Sequence, residues 1–301
     1  MVAGFVSLAP GFSPVASLVA SAASAAFGVA KKPLKRLFRS HASTNGIAIL
    51  NEKRILKTRL CLIILMATIP LLVSAAESQE YVILLHGLCR TSRSMVPMER
   101  ALTAAGYHVV NVDYPSRTAA IEKLSDDAIG RAVAGCQKAG ATKIHFVTHS
   151  LGGILVRSYF SRYSIPNLGR VVMLGPPNQG SEVVDKLGSW WAFQKLNGPA
   201  GKELGTDKNS TPNKIGPANF CVGVIAGDRS INWINSLLIP GRDDGKVSIE
   251  RTKLAGMTDH IVIHAAHPFL MRNRTAIRQT IYFLHTGRFE RVSTRQIGKA
   301  G

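Results

Sequence analysis

Ser150 stands where an apolar stretch gives way to a helical one, a place where a serine can act as a nucleophile. The residues KIHFVT (143–148) are predicted as a buried strand, and residues 151–163 as a helix that begins immediately after Ser150. A turn this sharp strains the backbone of its central residue and places the side chain at the edge of the sheet. The N-terminal end of the helix also favours negative charge that develops beside it. We therefore predict that Ser150 is a catalytic nucleophile.

The residues around Ser150 form a motif. From Thr148 the chain reads T-H-S-L-G-G, with His149 before the serine and Gly152 two positions after it, where the two arms of the turn leave room only for a small residue. This stretch resembles the nucleophile turn of the α/β-hydrolase superfamily, particularly of the compact bacterial lipases and esterases that carry A/T-H-S-L/M-G-G. Thr148 is a departure from GxSxG, which has glycine there. The resemblance covers residues 81 to about 289 and implies an α/β-hydrolase fold.

A second motif, His86-Gly87, follows the first predicted strand. In lipases of this type, such a turn lets the next backbone N–H join the oxyanion hole. The resemblance therefore implies that the N–H groups of Leu88 and Leu151 face the tetrahedral intermediate. We expect His86 and His149 to shape their turns rather than to react. The alternative for His86-Gly87 is a simple turn at the end of a strand.

A serine hydroxyl needs a base, and in this superfamily the base is a histidine that follows the acid along the chain. The histidines after Ser150 are His260, His264, His267 and His285. His260 and His264 lie in or next to an apolar alternating strand and are expected to be packed, while His285 ends the last predicted helix. His267 precedes P-F-L-M in the loop after the last strand, which resembles the catalytic histidine loop of the family. We predict His267 as the base.

Three aspartates are candidates for the carboxylate that orients His267. Asp228 directly follows a predicted strand, the usual place for the acid in this fold. The segment RDDGKVS (242–248) resembles the DGxVS segment that carries the acid in the compact lipases, and Asp244 precedes His267 by 23 residues. We favour Asp244, with Asp228 and Asp243 as alternatives. Any of the three could instead cap a turn.

Strands alternate with helices from residue 81 onward, which predicts a mostly parallel sheet with helices on both faces. The predicted strands are 81–85, 108–114, 143–148, 170–174, 220–227 and 260–265, and the predicted helices are 95–105, 121–136, 151–163 and 274–284. In such a sheet, ligands bind beyond the carboxyl ends of the strands. The predicted class is α/β, with residues 77–301 as one α/β-hydrolase domain.

Residues 176–218 interrupt this alternation. They are rich in Gly, Pro, Asn and Lys, and they bring together Trp190, Trp191 and Phe193. We interpret this segment as a small lid-like insertion. The alternative is a long surface connection pinned by the three aromatic side chains.

Residues 1–76 are predicted as a leader. An apolar run of 14 residues, 60–73, follows basic residues and precedes small ones, which are the parts of a secretory signal peptide. The run is shorter than the about 20 residues of a spanning helix. We predict cleavage after Ala75 or Ala76 and export to the periplasm or the medium, or membrane anchoring if 60–73 stays uncleaved. Because signal peptides begin a chain, we hypothesise that translation starts near residue 50; the alternative is a long translated leader.

The composition argues for a folded protein without metal or cofactor. With 46% apolar and 18% charged residues, the 301-residue chain can bury a full core and is not a disordered segment. It has four cysteines and no CxxC pair, which predicts neither a disulfide framework nor a structural zinc site. After export, Cys89, Cys136 and Cys221 would form at most one bridge. No GxGxxG or Walker pattern is present.

The net charge of +19 invites a nucleic-acid interpretation, but its distribution does not support one. Nine of the 37 basic residues fall within residues 1–59, and the others are scattered without interleaved aromatic residues. We predict no nucleic-acid partner. A basic surface does favour peripheral contact with anionic lipid headgroups.

These observations favour an exported serine hydrolase that cleaves carboxylic esters, with a lipid or another acyl ester as substrate. The triad Ser150, Asp244 and His267 would act through an acyl-enzyme intermediate. The alternatives are a thioesterase or acyltransferase with the same triad, or a non-catalytic binding protein with the hydrolase fold. The oligomeric state is not predicted.

Overall fold

The computed structural model describes residues 57–58, 79–231 and 233–291. The predicted leader, residues 1–76, lies outside the described residues apart from 57–58, and the apolar run 60–73 lies outside them entirely. Within the described ranges, no helix is long and apolar enough to cross a membrane.

The described residues contain a sheet of six strands, and every pair of neighbouring strands is parallel. The strands are β1 (Glu80–Leu85), β2 (His108–Val112), β3 (Lys143–His149), β4 (Leu168–Leu174), β5 (Val222–Gly227) and β6 (Asp259–Ile263). Their spatial order is β2-β1-β3-β4-β5-β6, so β2 and β6 are the edge strands. The predicted α/β class and parallel sheet are confirmed.

Helices connect successive strands, and a last helix follows β6. They are α1 (Val96–Ala104), α2 (Ile121–Ser125), α3 (Arg131–Lys138), α4 (Leu151–Phe160), α5 (Glu182–Leu187), α6 (Trp191–Lys202), α7 (Thr211–Lys214), α8 (Trp233–Leu238), α9 (Ile249–Thr252) and α10 (Arg274–Thr286). A π-helical turn, Asp126–Gly130, joins α2 to α3, so the single helix predicted over 121–136 contains an irregular middle turn.

Two apolar layers cover the two faces of the sheet. On β1, Ile83 and Leu85 belong to the layer that contains side chains of α2, α3 and α4. Val82 and Leu84 belong to the opposite layer, with side chains of α1 and α10. All four are fully buried, which explains why the strand is apolar throughout rather than alternating.

The predicted insertion contains α5, α6 and α7 and lies between β4 and β5. Trp190 and Trp191 are 59% and 69% exposed, so they do not pin the segment to the protein as the alternative interpretation required. Ala200 and Leu204 do so instead, because both are buried in the layer that contains α4. The interpretation of this segment as a lid stays a prediction.

Candidate active site

Ser150 forms a strained turn between β3 and α4. Its backbone has φ 53° and ψ −119°, a region that residues other than glycine rarely occupy. The Ser150 N–H donates to the Leu174 carbonyl on the neighbouring strand at 2.9 Å, and the Ser150 carbonyl accepts from the Gly153 N–H at 3.0 Å. These bonds hold the turn in its strained conformation.

The residues two positions from Ser150 are accommodated in different ways. A Cβ atom on Gly152 would lie 2.6 Å from the Leu85 carbonyl oxygen, so only glycine fits there. Thr148 is fully buried, and its Oγ1 lies 3.5 Å from the Val172 carbonyl oxygen on β4. Threonine therefore replaces the usual glycine by directing its hydroxyl toward the neighbouring strand.

The turn at His86-Gly87 passes close to Ser150. A Cβ atom on Gly87 would lie 2.7 Å from His149 Nδ1 and 3.1 Å from Ser150 Cβ, so glycine permits this approach. Leu88, the next residue, lines the same pocket as Ser150. Leu151 is the first residue of α4, so its N–H has no acceptor within the helix.

His86 supports this turn through both ring nitrogens. Its Nδ1 donates to the Gly87 carbonyl at 2.9 Å, and its Nε2 accepts from the Tyr114 N–H at 3.4 Å. The Tyr114 ring stacks on it at 4.1 Å between centroids. Burial lowers the pKa of His86, which keeps the imidazole neutral at pH 7.

Asp244 and His267 are joined by two hydrogen bonds. His267 Nδ1 donates to Asp244 Oδ2 at 2.7 Å, and the His267 N–H donates to the Asp244 carbonyl at 2.9 Å. Asp244 is fully buried, and its Oδ1 accepts from the N–H groups of Lys246 and Val247 at 3.0 and 2.9 Å. The carboxylate is thus fixed on both oxygens, and it selects the His267 tautomer whose Nε2 carries a lone pair.

Two glycines that the sequence analysis missed make room for this pair. Gly175, at the end of β4, has φ 56°, and a Cβ there would lie 3.0 Å from both Asp244 Oδ2 and His267 Nδ1. A Cβ on Gly227, the last residue of β5, would lie 2.9 Å from Asp244 Cβ. A glycine that ends a predicted strand or directly follows one is the signal that could have identified them.

His149 holds the loop that carries His267. Its Nε2 donates to the His267 carbonyl at 3.0 Å, and the two ring centroids are 4.7 Å apart. Burial lowers the pKa of His149 well below its usual 6.5, so the ring is neutral at pH 7. His149 thereby links the serine turn directly to the histidine loop.

One pocket brings the predicted residues together. Ser150, Asp244 and His267 all line a cavity of about 390 Å³, which is within the usual size range of small-molecule sites. Its apolar wall comes mainly from the inserted segment, through Val183, Val184, Phe193, Leu196 and Leu204, and also includes Leu88, Ile231 and Val247. The cavity brings a serine hydroxyl, a carboxylate-bonded imidazole and an apolar lining together, so it can hold an acyl group beside them.

The alternative acids lie elsewhere. Asp228 pairs with His264 at 3.0 Å and with Arg242, outside this pocket. Asp243 caps a turn, because its Oδ1 accepts from Ser236 Oγ at 2.8 Å and from the Gly245 N–H at 2.7 Å.

The other candidate bases also lie outside the pocket. The expectation that His264 is packed is wrong, because its side chain is 75% exposed just beyond the edge strand β6. His260 is partly buried and bonds to Thr252 Oγ1 at 3.0 Å, and His285 lies near the Tyr107 ring. Among the side chains that the structure describes, no group of three His, Cys, Asp or Glu residues could hold a metal ion.

Comparison with known protein families agrees with this geometry. A model described as the alpha/beta hydrolase family matches residues 82–233. The chain belongs to the α/β hydrolase family. The matched range contains Ser150 and the Gly87 turn of this hydrolase, whereas Asp244 and His267 lie beyond it.

Solved structures share the fold at low sequence identity. The mature form of lipase BlEst2 from Bacillus licheniformis is 17% identical with a TM-score of 0.54, over 69% of this chain and 92% of that one. Its propeptide form is also 17% identical, with a TM-score of 0.56 over 72% of this chain and 52% of that one, so this chain spans about half of that form. No curated protein matches this hydrolase by sequence.

Proposed function

We propose that this α/β hydrolase cleaves carboxylic esters of lipids or other acyl compounds, with Ser150 as nucleophile, His267 as base and Asp244 as the orienting acid. The observation that carries the proposal is the single pocket that Ser150 shares with the hydrogen-bonded Asp244–His267 pair. The apolar wall contributed by the inserted helices supports an acyl chain as the bound group. The fold shared with the lipase BlEst2 supports the proposal at the level of architecture alone.

The proposed reaction has two steps. Ser150 Oγ attacks the ester carbonyl carbon while its proton passes to His267 Nε2, and the resulting oxyanion is stabilised by the Leu88 and Leu151 N–H groups. The C–O bond breaks as His267 returns that proton to the leaving alcohol, which gives the acyl-enzyme. Water then attacks the acyl carbon by the same route, releasing the acid and restoring the Ser150 hydroxyl.

Covalent labelling tests the proposal. A fluorophosphonate probe reacts only with an activated serine, so it should label the wild-type protein and not Ser150→Ala. A series of p-nitrophenyl esters of increasing chain length should be hydrolysed by the wild type, and its optimum reports how much of the apolar wall the acyl group occupies. A protein that neither reacts with the probe nor hydrolyses any ester would contradict the proposal and favour a binding role.

We also propose that the protein is exported by the signal within residues 53–76. The apolar run 60–73, its basic flank and the alanines that follow support this. N-terminal sequencing of the protein recovered from the periplasm or medium should find a terminus after Ala75 or Ala76. A mature terminus upstream of Leu60 would be incompatible with cleavage there.

A further inference from the structure

Three basic side chains surround the mouth of the pocket. Arg90 and Lys246 line the pocket that holds Ser150. Arg117 lines an adjoining pocket of about 580 Å³, which shares Cys89, Arg90 and Leu196 with the first. The sequence positions of these cations are far apart, yet the fold brings them to one entrance.

None of the three makes an ion pair with a carboxylate among the described residues. Arg117 makes a long hydrogen bond, 3.4 Å, to the Leu196 carbonyl. Asp113 is the acidic residue on the wall of the adjoining pocket; its carboxylate accepts from the Ser92 N–H at 2.9 Å. Asp244 is already bonded to His267. Positive charge at the entrance therefore exceeds negative charge.

All three cations act on the thiol of Cys89. Partial burial raises the pKa of the Cys89 thiol, and Arg117, Lys246 and Arg90 each oppose that rise. Cys89 directly follows Leu88, the residue assigned to the oxyanion turn, so the positive potential extends to the edge of the reaction site. A cleft lined by one sign of charge concentrates ligands of the opposite sign.

The two pockets thus present two kinds of side chain. The inserted segment supplies the apolar residues Val183, Val184, Phe193 and Leu196, whereas Arg90, Lys246 and Arg117 lie on the loops that follow Leu88, Asp244 and β2. Arg90 and Lys246 line the same pocket as His267, whose Nε2 must return its proton to the leaving alcohol. An acyl chain fits the apolar side chains, and an anionic alcohol portion fits the cations.

Resting on the proposed function, we propose that the preferred substrate is an acyl ester whose alcohol portion carries a phosphate group. The acyl chain lies along the apolar wall, and the phosphate lies between Arg90, Arg117 and Lys246. Phosphate matches three cations better than a carboxylate does, because it carries a charge of about −1.5 to −2 and three acceptor oxygens. Arginine side chains bind it through paired N–H donors.

A matched pair of substrates tests the proposal. Octanoylglycerol and octanoylglycerol phosphate, both used as monomers in solution, differ only in the phosphate. We expect kcat/KM for the phosphate ester to exceed that for the neutral ester by about tenfold at low ionic strength. The preference should shrink in about 1 M salt, where charges are screened beyond about 3 Å.

Variants that remove one positive charge show which residues cause the preference for the phosphate ester. Arg90→Gln, Arg117→Gln and Lys246→Gln should each reduce the preference by about fivefold or less, mainly through KM, and the triple variant should abolish it. Arg100→Gln is the matched control, because Arg100 is exposed on α1 and lines neither pocket. A wild type without the preference, or a triple variant that keeps it, would overturn the inference.

The outcome also separates this inference from the function on which it rests. A protein that reacts with the fluorophosphonate and hydrolyses both octanoyl esters equally retains the ester hydrolase function and refutes only the phosphate preference. A protein that neither reacts with the fluorophosphonate nor hydrolyses either octanoyl ester refutes the ester hydrolase function itself. Probe labelling of each variant shows that its serine turn is still formed.

Discussion

Among the described residues, two imidazole–carboxylate pairs lie in the segments that follow β5 and β6, and only one of them lines the pocket of Ser150. Asp244 and His267 meet at 2.7 Å, and Asp228 and His264 meet at 3.0 Å. In both pairs, the aspartate follows β5 and the histidine follows β6. Residue types and chain order alone would allow either pair to serve a nucleophilic serine.

The surroundings separate the two pairs. The side chains of Asp244 and His267 are 0% and 9% exposed, and both line the pocket of Ser150. The His264 side chain is 75% exposed, and Asp228 also pairs with Arg242. A carboxylate fixes an imidazole for catalysis only where the imidazole reaches the nucleophile and water is excluded. The comparison therefore predicts that the Asp244–His267 pair, called the inner pair, takes part in the reaction. The Asp228–His264 pair, called the outer pair, is expected to be a surface ion pair without a role in the reaction.

The largest contrast is expected between the two histidines. His267→Ala should lower kcat for ester hydrolysis by about 10⁴- to 10⁶-fold, because nucleophile and base act as a unit. His264→Ala removes an exposed side chain and should leave kcat within about twofold of the wild type. Steady-state kinetics on a p-nitrophenyl ester measures both. An inactive, folded His264→Ala protein would reverse the assignment of the two pairs.

The aspartates should show a similar contrast. Asp244→Asn removes the charge that selects the His267 tautomer, and we expect kcat to fall by about 10⁴-fold with the fold retained. Asp228→Asn should leave turnover near the wild-type value and reduce the free energy of unfolding by about 1 kcal/mol at most, since its partners are exposed. Urea denaturation beside the kinetics distinguishes the two results. Asp243→Asn, which weakens a turn cap, serves as the neighbouring control.

A smaller loss of activity should follow when the space around the inner pair is filled. A Cβ at Gly175 would lie 3.0 Å from Asp244 Oδ2 and His267 Nδ1, so Gly175→Ala should displace the pair and lower kcat by about 100-fold. Gly241→Ala is the control, because Gly241 also has a positive φ, 81°, but its Cβ would meet no atom within 4 Å. Both substitutions carry a backbone cost of about 1 kcal/mol. Equal turnover in the two variants would contradict the steric argument.

The features of the site that were predictable from sequence are local ones. Ser150, Gly152 and the His86-Gly87 turn each depend on a strand and the few residues that follow it, so a short motif identifies them. The choice between Asp244 and Asp228 depends instead on how the loop after β5 folds back. The resemblance of residues 242–248 to a family segment favoured Asp244, while periodicity carried no information on that choice.

The parts that were not predictable depend on position in the sheet and on distant contacts. His264 was expected to be packed because apolar residues alternate before it, but alternation does not distinguish an edge strand from a central one. The cations Arg90, Arg117 and Lys246 are scattered along the chain, and only the fold brings them to one entrance. Gly175 was overlooked because its neighbours Asp244 and His267 are distant in sequence.

The smallest predicted effect concerns His149, which joins the inner pair to the serine turn and has no counterpart in the outer pair. Burial holds its pKa well below 6.5, so the folded protein keeps it neutral while the unfolded chain takes up a proton as the pH falls below about 6.5. The contribution of His149 to the free energy of unfolding is therefore fully present above that pH. It decreases as the pH falls toward the pKa of the folded state, by up to about 1.4 kcal/mol per pH unit. His149→Gln does not titrate but retains an amide N–H for the His267 carbonyl, so urea denaturation between pH 8 and pH 5 should show a shallower decrease than in the wild type. Because burial also lowers the pKa of His86, His145 and His260, the variant should keep part of the slope.

His264→Gln controls for the loss of an imidazole as such. Identical slopes for His149→Gln and the wild type would refute a neutral, buried His149.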